Sequence, residues 1–426
     1  TWSNRGAVEA DAMRQSGEQA VREPTACSRW LARNVSKPRN SSWVAALRRQ
    51  ISPHRVPRRV FALITFGYEL EMLALHMRVL QPEVTRFLVA EATSTYDAIN
   101  QGRLAPNKPA VLSEAIGQRT FPPDLAELVT VRVLRAAEEA PRCKAAKPAR
   151  FAGPHGCWEA RHRSVLLELL FGLADRDDDL ALLADVDEVA SPQVVHMLRR
   201  CAVMQSRQAL DAPHKYTLQA FNMVYGVHCW PRVATWFAPH VFGVWWLRKR
   251  MLEDVPPMTA IEFLDTRADV RRPPLVLDAA WHFTSTGTPR ELQRKLTTWG
   301  HANMFLESAH PGSLDLGRLE RCQRFCLEAR GTGSRGTPAP RCADRAAAAP
   351  AAPGGRGGGG GGDPRRDRRL PGVLLSEATL RRATLPEYLL AHRAEHPSLF
   401  RYLGASPLAN SVTSPHSRDV NRTRVY

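Results

Sequence analysis

Asp185 and Asp187 stand one residue apart, with Glu188 beside them, in the stretch DDDLALLADVDEVASP over 177–192. Three acids in four residues repel one another unless a cation or a set of donors sits among them. Carboxylate oxygens suit Mn²⁺ or Mg²⁺, which keep open positions for phosphate oxygens. An ion bridging a diphosphate would neutralise the charge that develops as the diphosphate leaves. The plainer alternative is a solvated turn at a strand end.

The flanking residues say where the acids lie. Leu180 to Ala184 is an apolar run of strand length. Asp-x-Asp at its end predicts two carboxylates projecting to one side, because alternate strand residues share a face. Ser191 and Pro192 suit the cap and first position of a following helix. Ligands of open α/β sheets gather at the carboxyl ends of strands, where these acids fall.

Similar runs recur upstream. Val60 to Phe66 reads as a buried strand, and Leu70, Leu73, Met77 and Leu80 as one face of a helix closed by Pro82. Arg86 to Ala90, ending at Glu91, and Leu128 to Leu134 read as further strands, and Glu159 to Leu173 as a helix. The alternation predicts an α/β fold with a mainly parallel central sheet and helices on both faces. Residues 1–55 read as a basic stem or disordered arm, and 56–328 as the folded domain. An Ala/Gly/Arg-rich stretch, 329–372, reads as a disordered insertion. Residues 373–403 read as a closing helical segment and 404–426 as a tail.

The net charge of +17 resembles that of a nucleic-acid binder, but its distribution argues otherwise. Residues 1–59 carry 12 Lys and Arg against 4 acids, residues 329–372 carry 9 against 3, and residues 404–426 carry 3 against 1. These flanks hold +16 of the total, so no basic groove is expected on the folded part and no nucleic-acid partner. Eight cysteines with no CxxC pattern exclude a disulfide scaffold or a zinc module, while one or two bridges and free buried thiols are equally compatible with them. The sequons at Asn34, Asn40 and Asn421 permit a secretory lumen. No apolar run is long enough to span a bilayer.

Residues 210–285 are rich in aromatics, among them Tyr216, Trp236, Phe242, Trp246 and Trp281. They read as the core of a β-rich subdomain, with one or two able to stack on a sugar. Thr288, Pro289 and Glu291 predict a capping box opening another helix, with Leu292, Leu296 and Trp299 on its buried side. The pattern from Leu385 to Leu403 predicts a closing helix.

Five stretches in order carry a family resemblance: RRVFALITFGYELEMLALHMRVL, VTRFLVAEATST, DDDLALLADVDEVASP, WHFTSTGTPRELQRKL and PEYLLAHRAEHPSLFRYL. The chain resembles glycosyltransferase family 17, the β-1,4-mannosyl-glycoprotein 4-β-N-acetylglucosaminyltransferases. Asp185, Asp187 and Glu188 fall on the family's DDADEIP or SDVDEIP acids. Trp281 and His282 resemble its Trp-His element, and Glu91 the Glu of its VES. Glu159 and Arg163 resemble its E-x-x-Q-R, with His162 in place of Gln. The resemblance implies a GT-A-like fold and inverting transfer of GlcNAc from UDP-GlcNAc to a mannose of an N-glycan, in a β-1,4 bisecting-type linkage. It also implies a glycoprotein acceptor, Mn²⁺ or Mg²⁺, and a type II membrane protein of the Golgi lumen, whose anchor would precede Thr1. Departures are Phe283 where the family has Cys, an absent second Trp-Cys pair, Gly67 in place of a polar residue, and the Gly/Arg-rich insertion. These replacements also fit an inactive glycan-binding protein with the same fold.

On this reading Asp187 is the first metal ligand, and Asp185 a second ligand or a ribose contact. His282 is a third ligand or a buried, hydrogen-bonded histidine. Glu188 caps the following segment or faces the sugar. Glu91 touches the nucleotide, and Arg163 contacts the diphosphate or pairs with Glu159. The base that takes the acceptor proton is sought at Glu253 or Asp254, whose alternative is a plain helix-end acid.

Overall fold

A computed structural model describes residues 24–36, 56–95, 98, 105–139, 154–202, 204, 213–224, 229–230, 235–252, 274–298, 315–325, 373–374 and 387–400. The chain divides into two compact units. The first comprises residues up to Phe221, Thr235–His282 and Thr298–Gly300, and the second comprises the remainder.

Helix α1 (Pro24–Asn34) and strand β1 (Val35–Ser36) come first. Then follow β2 (Val60–Phe66), α2 (Leu70–Leu80), β3 (Arg86–Ala92), α3 (Val111–Gly117), α4 (Pro123–Ala126) and β4 (Val129–Leu134). Next are α5 (Pro154–Leu173), β5 (Leu180–Asp185), β6 (Glu188–Ala190), α6 (Pro192–Cys201) and β7 (Lys215–Val224). After β8 (Cys229–Trp230) come β9 (Thr235–Gly243), α7 (Val244–Leu252) and β10 (Leu275–Thr284). The C-terminal elements are α8 (Pro289–Thr298), α9 (Leu316–Phe325), β11 (Val373–Leu374), α10 (Glu387–Ala391) and α11 (Pro397–Phe400).

The fold is α/β, and its main sheet is mixed rather than mainly parallel. The strand order is β1-β10-β7-β9-β5-β2-β3-β4, with β6 paired to β10. The β5-β2-β3-β4 block is parallel, whereas β7–β9, β5–β9, β10–β6 and β1–β10 are antiparallel. A parallel step needs a crossover long enough for a helix, and the short link from β7 to β9 is not. The aromatic region therefore extends the central sheet instead of forming a separate β-rich subdomain. Tyr216, Phe242, Trp246 and Trp281 are buried core residues, as the plainer of the two sequence readings has it.

Within the parallel block the chain steps from β2 to β3 to β4, then returns to β5 on the far side of β2. Right-handed crossovers put α2 and α4 on one face and α5, on the return path, on the other. Phe61, Leu63, Leu88, Ala90, Ala181 and Leu183 accordingly pack with Trp158, Leu166 and Leu170 of α5 and Trp246 of α7. Alternate residues such as Ala62, Ile64, Val89 and Leu182 point to the opposite face and are equally buried. Burying both faces is why these strands read as continuous apolar runs. Each fully buried Leu or Ile contributes about 1.5–3 kcal/mol, so Leu63→Ala would cost about 2–5 kcal/mol once its cavity is counted.

Residues 24–36 differ from the expected stem. Cys27 bonds to Cys201, tying α1 to the end of α6, and β1 pairs with β10 through Val35↔Val276. Leu31 is fully buried. Arg58 donates to the carbonyls of Leu198 and Ala202 (2.7 and 2.6 Å), neutralising the same helix end. A two-residue strand and a lone cysteine leave too little periodicity to read from sequence. The rest of 1–55, the 329–372 stretch and 404–426 lie outside the described residues.

In the second unit, β8 pairs antiparallel with β11. The capping box forms as expected: Thr288 N–H donates to Glu291 Oε2 (2.6 Å) and Glu291 N–H to Thr288 Oγ1 (3.2 Å). Leu292 and Leu296 are buried, and Trp299 lies outside the described residues. The closing helix is instead broken into α10, a 3₁₀ turn at Arg393–Glu395, and α11. Pro397 lacks the N–H that a continuous helix needs and disfavours helical geometry at His396.

Candidate functional site

Strand β5 ends at Asp185, and Val186 and Asp187 form a two-residue turn into β6. The strand's alternation therefore stops before Asp187, and the two aspartates meet different partners instead of sharing one face. Thr65 lies opposite Asp185 in the parallel β2–β5 register, and its hydroxyl donates to Asp185 Oδ1 (2.7 Å). The Arg163 guanidinium, from α5, lies 3.7 Å from the same oxygen. The Asp185 side chain is about one-third exposed, at 34%.

Asp187 meets a histidine. Its Oδ1 lies 3.8 Å from His282 Nε2, and both side chains are nearly buried. Strand β10 brings His282 there through the β10–β6 ladder, which sets His282 opposite Glu188. The imidazole stacks on Trp236 of β9, with ring centroids 4.3 Å apart and planes 16° apart. Two residues 95 positions apart in sequence thus converge at the carboxyl end of β5.

Glu188 turns back on the residue that precedes the turn rather than capping the segment that follows. Its Oε2 accepts from Asp185 N–H (2.9 Å) and its Oε1 from Trp236 Nε1–H (2.6 Å). One buried carboxylate thereby fixes both the start of the turn and the ring under His282. His76, on α2, reaches the same turn, with Nδ1 3.1 Å from the Val186 carbonyl. Burial holds His76 down to about 4, although the Val186 bond and the Asp187 charge pull it upward. It is neutral at physiological pH.

At the amino end of β5 the acids are neutralised by arginines. Arg59 donates to both oxygens of buried Asp179 (3.0 and 2.5 Å) and also pairs with Asp175. Arg176 pairs with Asp178 (2.7 Å) and Arg248 with Asp177 (3.3 Å). At the carboxyl end the facing arginine, Arg163, stands farther off, 3.7 Å from Asp185.

Glu91 is placed differently from a nucleotide contact. It is fully buried, and its carboxylate accepts from Leu112 N–H (2.9 Å), Ser113 N–H (3.2 Å) and Ser113 Oγ (3.2 Å). The two backbone N–H groups are orphan donors at the start of α3, whose cap position is Ala110. Lys108 lies close by, donating to the Gly67 carbonyl (3.0 Å) with its ammonium 4.5 Å from the Tyr68 ring centroid. Burial lowers its pKa, opposed by Glu91 and Glu69. His162 is held at about 3 by burial and by the charges of Lys108 and Arg163.

The structure thus brings Asp185, Asp187, Glu188, Arg163 and His282 to one strand end, and engages Glu91 as a cap. Glu253 and Asp254 follow α7 directly but lie outside the described residues, as does the side chain of Glu159. Among the described residues, no three His, Cys, Asp or Glu side chains converge as a complete metal cage. Asp187 and His282 offer one carboxylate oxygen and one imidazole nitrogen, a donor pair that suits Mn²⁺ when substrate oxygens and water complete the shell. Sequence reasoning missed Thr65 and His76, and it named Trp236 only as one of many aromatics. Only Thr65 left a signal, as a polar residue at the end of an apolar strand.

No protein-family model matches the chain, and no match to a curated protein is found.

Proposed function

We propose that the chain is a divalent-metal-dependent glycosyltransferase of GT-A-like fold. It would transfer GlcNAc with inversion from UDP-GlcNAc to a mannose of an N-glycan or glycoprotein, in a β-1,4 linkage. The observation that carries the reading is the approach of Asp187 to His282 at the carboxyl end of a parallel strand, beside the part-exposed Asp185. The order of the parallel block, followed by antiparallel strands that return to the acids, supports the fold assignment.

Asp187 and His282 would hold Mn²⁺ or Mg²⁺. Bound there, the ion supplies positive charge to the departing diphosphate. Arg163, beside Asp185, adds a fixed cation. Thr65 and Glu188 keep Asp185 in one orientation, so little reorganisation is needed when a donor arrives. Glu253 and Asp254 are the candidates for the base that removes the acceptor hydroxyl proton.

The buried Cys27–Cys201 disulfide supports a secretory lumen such as the Golgi, because such bonds persist in oxidising compartments. No helix among the described residues is long and apolar enough to cross a membrane. Hydrolysis and transfer assays with a panel of UDP-sugars, with and without Mn²⁺, test the proposal. Mn²⁺-dependent turnover of UDP-GlcNAc is expected, with loss in Asp187→Ala. Glycan binding with neither UDP affinity nor turnover would instead identify a catalytically inactive glycan-binding protein.

A further inference from the structure

We infer that His76 is a positioning residue that holds the acidic turn in the shape a metal–diphosphate requires. The inference rests on the reading of that turn as a metal–diphosphate seat. His76 is fully buried on α2, and it reaches a residue 110 positions away. Its partner is the carbonyl of Val186, the peptide group lying between the two aspartates. A carbonyl only accepts, so Nδ1 carries the proton and Nε2 is left as a bare acceptor. Nε2 is buried without a hydrogen-bond partner among the described residues.

That arrangement is costly if His76 serves packing alone. A Phe or Leu would fill the space without burying an unsatisfied lone pair. What the imidazole provides in return is the Nδ1–H bond to Val186. This bond orients the peptide that leads into Asp187, and so sets the direction in which the Asp187 carboxylate leaves the backbone. Glu188 fixes the amide of Asp185 at the start of the same turn. The two bonds together fix the turn on both sides of Val186.

The test compares wild type with His76→Asn, His76→Phe and His76→Gln. Asn places a donor near the position of Nδ1, Phe keeps the shape without a donor, and Gln carries its donor too far out. Amide hydrogen exchange across Asp185–Glu188 reads the turn without any metal. Calorimetry with Mn²⁺ alone, and with UDP plus Mn²⁺, reads the seat.

Turn exchange should rise about tenfold in the Phe variant, with the Asn variant close to wild type. Mn²⁺ affinity should fall about 10–100-fold in the Phe variant and recover in the Asn variant, the range expected for a group that orients a metal ligand. Should the Phe variant not fold, the Gln variant is expected to show the same loosened turn. Unchanged turn exchange in the Phe variant, or an Asn variant as loose as it, overturns the inference. If wild type binds no Mn²⁺, the metal reading fails, while the exchange comparison still decides whether His76 holds the turn.

Discussion

Replacing Glu91 separates a structural carboxylate from a substrate-binding one. Glu91→Ala removes the acceptor for three donors at the start of α3. A hydrogen bond to a charged group contributes about 1.5–3 kcal/mol. The 2.9 Å bond from the buried Leu112 amide sits at the upper end of that range, and the two 3.2 Å bonds from Ser113 at the lower end. The Ser113 hydroxyl can turn to another acceptor, so the net loss comes to about 3–5 kcal/mol. That is a large share of the roughly 5–15 kcal/mol that holds a domain folded. Glu91→Gln keeps one acceptor but turns an NH₂ toward an N–H donor, so it should lose at least half as much. Equilibrium urea unfolding measures the loss, and calorimetry with UDP on the remaining folded protein measures the nucleotide site. The expected outcome is a large fall in stability with UDP affinity within about twofold of wild type. Full stability with UDP binding abolished would refute the capping argument and restore Glu91 as a donor contact.

Two other perturbations test the fold around the site. His162 is held at about 3, against about 6.5 in an unfolded chain. Between those values the unfolded state takes up a proton that the folded state refuses. Stability must therefore fall as pH drops below about 6.5, at a slope approaching 1.4 kcal/mol per pH unit. His162→Gln stays neutral and should remove about 2 kcal/mol of the stability lost between about pH 7 and pH 5; an identical acid loss in the variant counts against it. Cys27→Ser with Cys201→Ser opens a loop of 174 residues, which should cost about 2–5 kcal/mol in urea unfolding. Hydrogen exchange in β10 should rise with it through the lost β1 pairing, and unchanged β10 protection would show that β1 does not depend on the tether.

Much of the parallel block was legible because burial on both faces leaves apolar runs that few other structures produce. Val60–Phe66 and Leu180–Asp185 were readable for that reason, and α2 because Leu70, Leu73 and Met77 repeat at helical spacing. The antiparallel half was not, because its pairing is set by the closure of a curved sheet rather than by local pattern. That half decides the site. No local pattern near Trp281-His282 announces that β10 will pair with β6; only the family resemblance set His282 with Asp187. Glu91 misled for a related reason: a carboxylate at a strand's end looks the same in sequence whether it meets a ligand or, as here, the start of a helix packed above it. The turn at Val186-Asp187 stood only as one of two readings, because Asp-x-Asp fits a continuing strand equally well.

The most direct test is whether the Asp187–His282 pair seats a metal for a diphosphate. Calorimetric titration of UDP into wild type and Asp187→Ala, each with and without Mn²⁺, measures it. The prediction is UDP binding that Mn²⁺ strengthens at least about tenfold in wild type, with that gain abolished in Asp187→Ala. Binding that is indifferent to Mn²⁺, or equally strengthened by it in both proteins, would contradict the account.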